Sequence, residues 1–254
     1  MSADLPVPRQ IVVHGFLFNR GEKMSKSVGN VIDPFTMTDA YGVDQVRFFF
    51  LREVPFGQDG SYSHEAIVNR TNAELANDLG NLAQRSMSMI GKQLGGVLPA
   101  PVTFSDNDKT ILAAADAMIG AAREHMKTLQ LHQVLNTVWA VVADANRYFT
   151  GEAPWALAKT DPARRDTVLW VLAETIRRVT LLVQPFMPES SAKILDQLGV
   201  KDRSFAAFDS ELASGTELPK PQGVFPRYVD PEAEAAKQMP AAKPAKPPKQ
   251  KKDK

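Results

Sequence analysis

From Ser63 to Gly199 the apolar residues recur three and four positions apart and never settle into strand alternation, so this stretch is restricted to packed helices. Ile67, Leu75, Leu79, Leu82 and Met89 mark one long helix that opens at Ser63 and stops at Gly95-Gly96 and the prolines beyond. A second starts after Ser105 and carries Ile111, Leu112, Ala115, Met118 and Ile119, and a third carries Val134, Leu135, Val138, Val141 and Val142 up to Phe149. A fourth spans about Ala163 to Val183, and Ala192, Ile194, Leu195 and Leu198 give a shorter closing helix before Gly199. The spacing predicts a helical bundle.

Ahead of the bundle the pattern changes. Gln10 to Phe18 has the β-branched and aromatic content of a buried strand, and Asp33-Pro34 offers a helix cap followed by a first-turn proline. A helix is expected from Pro34 to Tyr41, stopping at Gly42, with another from Asp44 to Glu53 before Pro55-Phe56-Gly57-Gln58-Asp59-Gly60 breaks the run. Between strand and helix lies Gly21-Glu22-Lys23-Met24-Ser25-Lys26-Ser27-Val28-Gly29-Asn30. Its two ammonium groups and its hydroxyls suit polyphosphate oxygens, and its glycines permit close backbone approach. Two lysines near a glycine are more commonly a solvated turn. The longer string decides between these readings.

KMSKS is a signature of class I aminoacyl-tRNA synthetases, and HGFLFNRGEKMSKSVGNVIDP resembles the methionyl-tRNA synthetase family in particular. The resemblance implies that the loop closes over ATP, with Mg2+ accompanying the nucleotide. Its lysines would stabilise charge on the departing pyrophosphate as the methionine carboxylate attacks the α-phosphate. It assigns Lys26 as the ATP contact, Lys23 as a second electrostatic partner, and Ser25 and Ser27 as loop-shaping or phosphate-facing hydroxyls. It also implies a fold class: mainly α, with the end of a Rossmann-type catalytic domain followed by an α-helical anticodon-binding bundle.

Two further elements concern RNA. In Asn81-Leu82-Ala83-Gln84-Arg85 the spacing of four puts an amide and a guanidinium one turn apart on nearly the same helix face. Those groups suit the edge of an unstacked nucleotide, although such a pair is ordinarily just helix surface. Ala153-Pro154-Trp155 sets a large ring on a rigid turn between two helices, where a lone tryptophan usually packs. Together they match the anticodon-reading pattern of methionyl-tRNA synthetases, which implies that Asn81, Arg85, Pro154 and Trp155 contact the anticodon of tRNA-Met. Synthetases for leucine, isoleucine or valine have similar lysine loops, but NLAQR with APW argues against them.

The same family carries an earlier HIGH-type signature and a methionine pocket. His14, His64, His125 and His132 sit in other contexts, and no glycine-rich turn precedes a helix at the start of the sequence. Met1 is therefore expected to be an internal methionine of a longer protein, with methionine held only through the missing half and with adenylate formation absent from this part alone. The competing class is a tRNA-binding module without chemistry, against which the retained lysine loop argues. The expected divisions are 1–62, ending a catalytic domain; 63–212, the anticodon-binding bundle; 213–230, a segment around Gly223 to Tyr228 packing back on the body; and 231–254, a basic tail.

Composition narrows the remaining classes. The 254 residues carry a net charge of +1 and 44% apolar residues, enough for a core. No apolar run approaches the roughly 18 residues of a membrane span, and MSADLPVPRQ lacks a signal-peptide pattern, so a cytoplasmic protein is expected. With no cysteine, disulfides and cysteine-bound metals are excluded, and the scattered histidines suggest no metal site. AAKPAKPPKQKKDK is rich in lysine, proline and alanine and reads as disordered, either inert or loosely attracted to phosphate backbones.

Overall fold

The computed structural model describes residues 7–19 and 21–230; the basic tail lies outside the described residues. A three-stranded sheet in the order β2-β1-β3 opens the fold, with β1 at Leu17–Asn19, β2 at Glu22–Lys23 and β3 at Gly60–Tyr62. β1 pairs antiparallel with β2 and parallel with β3. The expected buried strand from Gln10 is therefore confined to its last residues. Ile11 and Val13 are 82% and 74% exposed; ladder pairing covers residues 17–19, and Phe16 joins its edge by donating from N to Asp59 Oδ1 at 2.7 Å and accepting from Gly60 N at 2.8 Å. Apolar content alone does not make a strand where no ladder or covering layer exists.

Helix α1 spans Pro34–Tyr41, capped by Asp33, whose carboxylate accepts from Thr36 N at 2.9 Å. Helix α2 spans Val43–Glu53. Ser63 caps α3 at His64–Arg70 by accepting from Ala66 N at 3.1 Å. Chain continuity then runs through a π-helical stretch, Thr71–Gly80, into α4 at Asn81–Gln93. The four remaining long elements are α5 (Asp106–Lys127), α6 (Leu131–Glu152), α8 (Pro162–Val183) and α9 (Pro188–Gln197), with the short α7 (Pro154–Thr160) between α6 and α8. Ser105 and Asp108 form a reciprocal capping box at the start of α5.

α8 is the axis of the bundle. Every residue from Thr167 to Val183 is buried, and Leu75, Leu79, Leu135, Val142 and Leu195 pack into the same core. Burying a helix on all sides also buries its charges. Glu174 accepts from Arg177 Nε at 2.8 Å, from Arg178 Nε at 2.7 Å and from the Leu212 backbone N–H at 3.0 Å, so the carboxylate is satisfied on every side.

The π stretch is ten residues long, far beyond the single π turns usual in helices, and neighbouring groups sustain it. The carbonyls of Glu74 and Asp78 accept from Trp139 Nε1 at 3.4 Å and Asn146 Nδ2 at 3.3 Å. At Gly80 a Cβ would sit 2.7 Å from the Leu75 carbonyl oxygen and 3.3 Å from the Phe225 side chain, so the widened turn closes only on glycine.

The segment from Thr216 to Tyr228 runs antiparallel along this composite helix. Leu218 N donates to Gly96 O at 2.7 Å, Phe225 packs on Gly80, Arg227 donates to Asn77 Oδ1 at 2.9 Å, and Tyr228 and Asn72 exchange two hydrogen bonds at 2.8 and 3.1 Å. At its end the Tyr228 ring lies 5.4 Å from that of Tyr41 and 5.5 Å from that of His64, joining the strap to α1 and α3.

Candidate nucleotide loop and RNA-reading surface

The lysine loop begins as a hairpin and ends as a clamp. Lys23 is the last residue of β2, opposite Phe18, and its Nζ lies 4.8 Å from the Phe16 ring centre. The Ser25 carbonyl accepts from Val28 N at 3.2 Å and Gly29 N at 3.1 Å, a turn completed by Gly29 at φ 72°. Ser25 and Ser27 share a hydroxyl hydrogen bond of 2.8 Å. Lys26, at the turn, is exposed and has no ion-pair partner among the described residues. The loop thus holds two cations and two hydroxyls on a short, internally bonded turn.

Asn30 organises that turn and is not recognisable as doing so from residue type. Its Oδ1 accepts from Ser25 N at 2.7 Å, its Nδ2 donates to the Lys23 carbonyl at 3.1 Å, and its own carbonyl accepts from Asn19 Nδ2 at 2.9 Å. One side chain therefore ties the first half of the KMSKS string, Lys23 to Ser25, to the far end of the loop. The only local signal was its position between the loop and the Asp33 cap.

On the bundle, Asn81 and Arg85 are both exposed on the first turns of α4. The Arg85 guanidinium carbon lies 4.2 Å from the centre of the Phe149 ring and 5.8 Å from that of Trp155. The two rings are 5.5 Å apart and inclined at 48°. Trp155 is 47% exposed whereas Phe149 is buried, so the indole presents a free face above a fixed aromatic floor. Arg85 and Trp155, distant in sequence, are brought together through Phe149, which the sequence marked only as the end of a helix.

Ala153 turns the chain from α6 into α7 in the left-handed conformation, at φ 44° and ψ 58°. Pro154 is buried and opens α7, where its missing N–H costs nothing and its fixed φ suits the first turn. These two residues aim Trp155.

The joint is braced from beneath. Arg164, near the start of α8, pairs with both Asp108 and Glu152, the latter at 2.7 Å, and Tyr148 Oη donates to Asp108 Oδ1 at 2.5 Å. Burial pushes the Asp108 carboxyl up, but hydrogen bonds from Arg164, Tyr148 and Ser105 N together outweigh it and hold the group below its usual value. Burial and the hydrogen bond to Asp108 raise the Tyr148 phenol well above its ordinary range. Glu152 and Arg164 stand on either side of α7, so their ion pair closes the base of the segment carrying Trp155.

Among the described residues no cluster of three or more His, Asp or Glu side chains is placed to hold a metal ion. No helix among them is long and apolar enough to cross a membrane.

Comparison with known proteins follows the same division. Residues 1–87 match the family described as tRNA synthetases class I (M), and residues 98–243 match the anticodon binding domain of methionyl tRNA ligase. The methionine-tRNA ligase of Brucella suis is 64% identical over 233 residues, 91% of this chain and 45% of the relative. That of Mesorhizobium japonicum is 59% identical over 234 residues, again 45% of its length. In structure, the Mycobacterium tuberculosis methionyl-tRNA synthetase in complex with methionyl-adenylate aligns with a TM-score of 0.86 at 55% identity, over 89% of this chain and 46% of that one. The chain therefore spans a little under half the length of the relatives it matches.

Proposed function

Because this chain belongs to the class I methionyl-tRNA synthetases, we propose that it supplies the pyrophosphate-stabilising loop and the anticodon-reading bundle for ATP-dependent attachment of methionine to tRNA-Met. The observation that carries the reading is the assembly of the exposed Arg85 and Trp155 over the buried Phe149 ring, with Asn81 a turn away. An unstacked anticodon base would lie on the indole face, while the Asn81 amide and the in-plane donors of Arg85 meet its polar edges. Pro154 acts through the placement of Trp155.

In the loop, Lys26 and Lys23 would neutralise charge on the β- and γ-phosphates as the bond from the α-phosphorus to the bridging oxygen breaks. Ser25 and Ser27 offer adjustable hydrogen bonds to the same oxygens. Any Mg2+ would travel with the ATP phosphates, since residues 23–27 of the loop present cations and hydroxyls rather than carboxylates. On this reading the methionine pocket lies in residues that the relatives carry beyond this span, and adenylate formation needs both parts. The protein is assigned to the cytoplasm with the translation apparatus.

The test is a titration of the 254-residue chain with tRNAs differing only in the anticodon. Trp155→Ala is expected to remove about 1 to 3 kcal/mol of binding and to flatten the preference for the methionine anticodon. An unchanged preference would return Trp155 to the role of a packed interhelix residue.

A further inference from the structure

A groove of about 580 Å3 runs along α4 from the turn that carries Arg85 to the end of the helix, walled on its far side by the strap. Gln84, Ser88, Lys92, Gly95, Leu218 and Lys220 are among its lining residues, and no acidic side chain lines it. Gln84, Ser88 and Lys92 follow one another at four-residue intervals, the row next to Asn81 and Arg85 on the same helix. We propose that this groove is a second RNA subsite, which takes a ribose-phosphate unit of the strand leaving the anticodon. The proposal rests on the reading of Asn81, Arg85 and Trp155 given above.

Three observations define the ligand. Lys92 and Lys220 are exposed, and neither has an ion-pair partner among the described residues, so the groove offers two uncompensated point charges to an anion. Gln84 is anchored at one end only: its Nε2 donates to Ser88 Oγ at 3.3 Å, while its Oε1 is buried with no partner. A buried acceptor without a donor is costly, so the amide, held only by its 3.3 Å bond to Ser88, gains by turning Oε1 into the groove towards a donor; a ribose 2′-hydroxyl is a donor found beside a phosphate in RNA but not in DNA. Finally, the wall at Gly95 is bare backbone, since a Cβ there would meet nothing within 4 Å, which leaves room for a sugar to approach.

The groove is also held in shape. Leu218 N to Gly96 O at 2.7 Å, Leu98 N to Thr216 O at 2.9 Å and Gly215 N to Leu98 O at 2.8 Å lock the strap to the chain after α4, so the two lysines stand on fixed supports. Preorganised cations bind a flexible strand at a smaller ordering cost.

The experiment uses the full chain and anticodon stem-loop RNAs, titrated at several salt concentrations. Replacing both Lys92 and Lys220 by Ala should weaken binding of every stem-loop about tenfold at low salt. It should also reduce the salt slope by about 1.4, two contacts at roughly 0.7 each, and leave the ratio between anticodons unchanged. Gln84→Leu should weaken the all-ribose loop severalfold, yet have no effect on a loop carrying 2′-deoxyribose on the 3′ side of the anticodon. A purely structural role for Gln84 would reduce both loops equally. Wild-type affinity and slope in the double variant, or equal losses for the two sugars with Gln84→Leu, would overturn the subsite. Loss of the anticodon preference in the unaltered chain would instead overturn the anticodon reading, and the lysine slope would still decide the groove.

Discussion

The guanidinium carbon of Arg85 lies over the Phe149 ring, 4.2 Å from its centre, and no carboxylate among the described residues shares it. Stacking holds the group without consuming its N–H donors, whereas a salt bridge would have consumed them. Arg85→Lys should therefore weaken tRNA-Met binding more than the retained charge suggests, by roughly tenfold, because an ammonium has no planar fork. Phe149→Leu should lose anticodon preference while the bundle still unfolds cooperatively, at a stability cost of about 1 to 1.5 kcal/mol. Fluorescence titration with matched and mismatched anticodons, paired with urea unfolding, checks both.

The left-handed Ala153 gives a test of how Trp155 is aimed. A β-branched residue is far less tolerant of that backbone, so Ala153→Val should destabilise the protein by about 2 kcal/mol and disturb the α6 to α7 joint. Ala153→Gly relieves the strain but adds chain entropy, so its melting temperature should stay within a few degrees of the parent. If valine melts like the parent, the joint is not under the strain its φ implies.

Acid should loosen the brace beneath that joint. The folded Asp108 carboxyl sits below its unfolded value of about 3.9, so its stabilising contribution is fully present above about pH 4. It is lost as pH falls through the folded value. Asp108→Asn should therefore be less stable than the parent at pH 6, and the gap should narrow near pH 3. Urea midpoints at the two pH values measure this, and a constant gap would contradict the assignment.

Glu174 presents a harsher case. It is fully buried between Arg177 and Arg178, themselves 2% and 8% exposed. Glu174→Ala would leave the buried Arg177 guanidinium with backbone carbonyls but no carboxylate, while Arg178 keeps Asp116 at 2.8 Å, and should cost about 3 kcal/mol. Replacing all three by apolar residues of matched volume should recover much of that loss, as denaturant unfolding would show.

For the lysine loop, pyrophosphate exchange with methionine and ATP should stay at background in the 254-residue chain alone. Where the residues that complete the relatives' length are supplied and restore exchange, Lys26→Ala should lower the rate by orders of magnitude with a smaller effect on methionine affinity. Exchange clearly above background in the chain alone, or equal losses in rate and affinity, would count against this division of labour.

The helices of this fold were legible because their ends carry local chemistry: Asp33 with Pro34 forms the expected cap, and the helix starts expected at Ser63 and after Ser105 are capped by those serines. What escaped depends on partners distant in sequence. β3 is three residues whose only reason to be a strand is Leu17–Asn19 alongside. The π stretch reads as ordinary helix, since Trp139, Asn146 and Phe225 are what sustain the widened turns. The exposed run from Ile11 to Val13 failed for the converse reason, as β propensity without a paired strand. At the sites, Lys23, Lys26, Asn81, Arg85 and Trp155 stood out by motif. Asn30 and Phe149 support them by contact and have no motif to show.

The strap has a consequence for how the molecule is made. Helices α4 to α9 can begin packing as they emerge from the ribosome, because their contacts join segments already synthesised. The face of Gly80 is closed only when Phe225 arrives, and Tyr41 and His64 wait for Tyr228 until nearly all of the described chain exists. A nascent chain halted shortly before Gly223 would carry a bundle complete in its helices yet open along the π stretch. Cover for Thr71–Gly80 along this face thus arrives with the last dozen residues of the strap, after the helices that carry it.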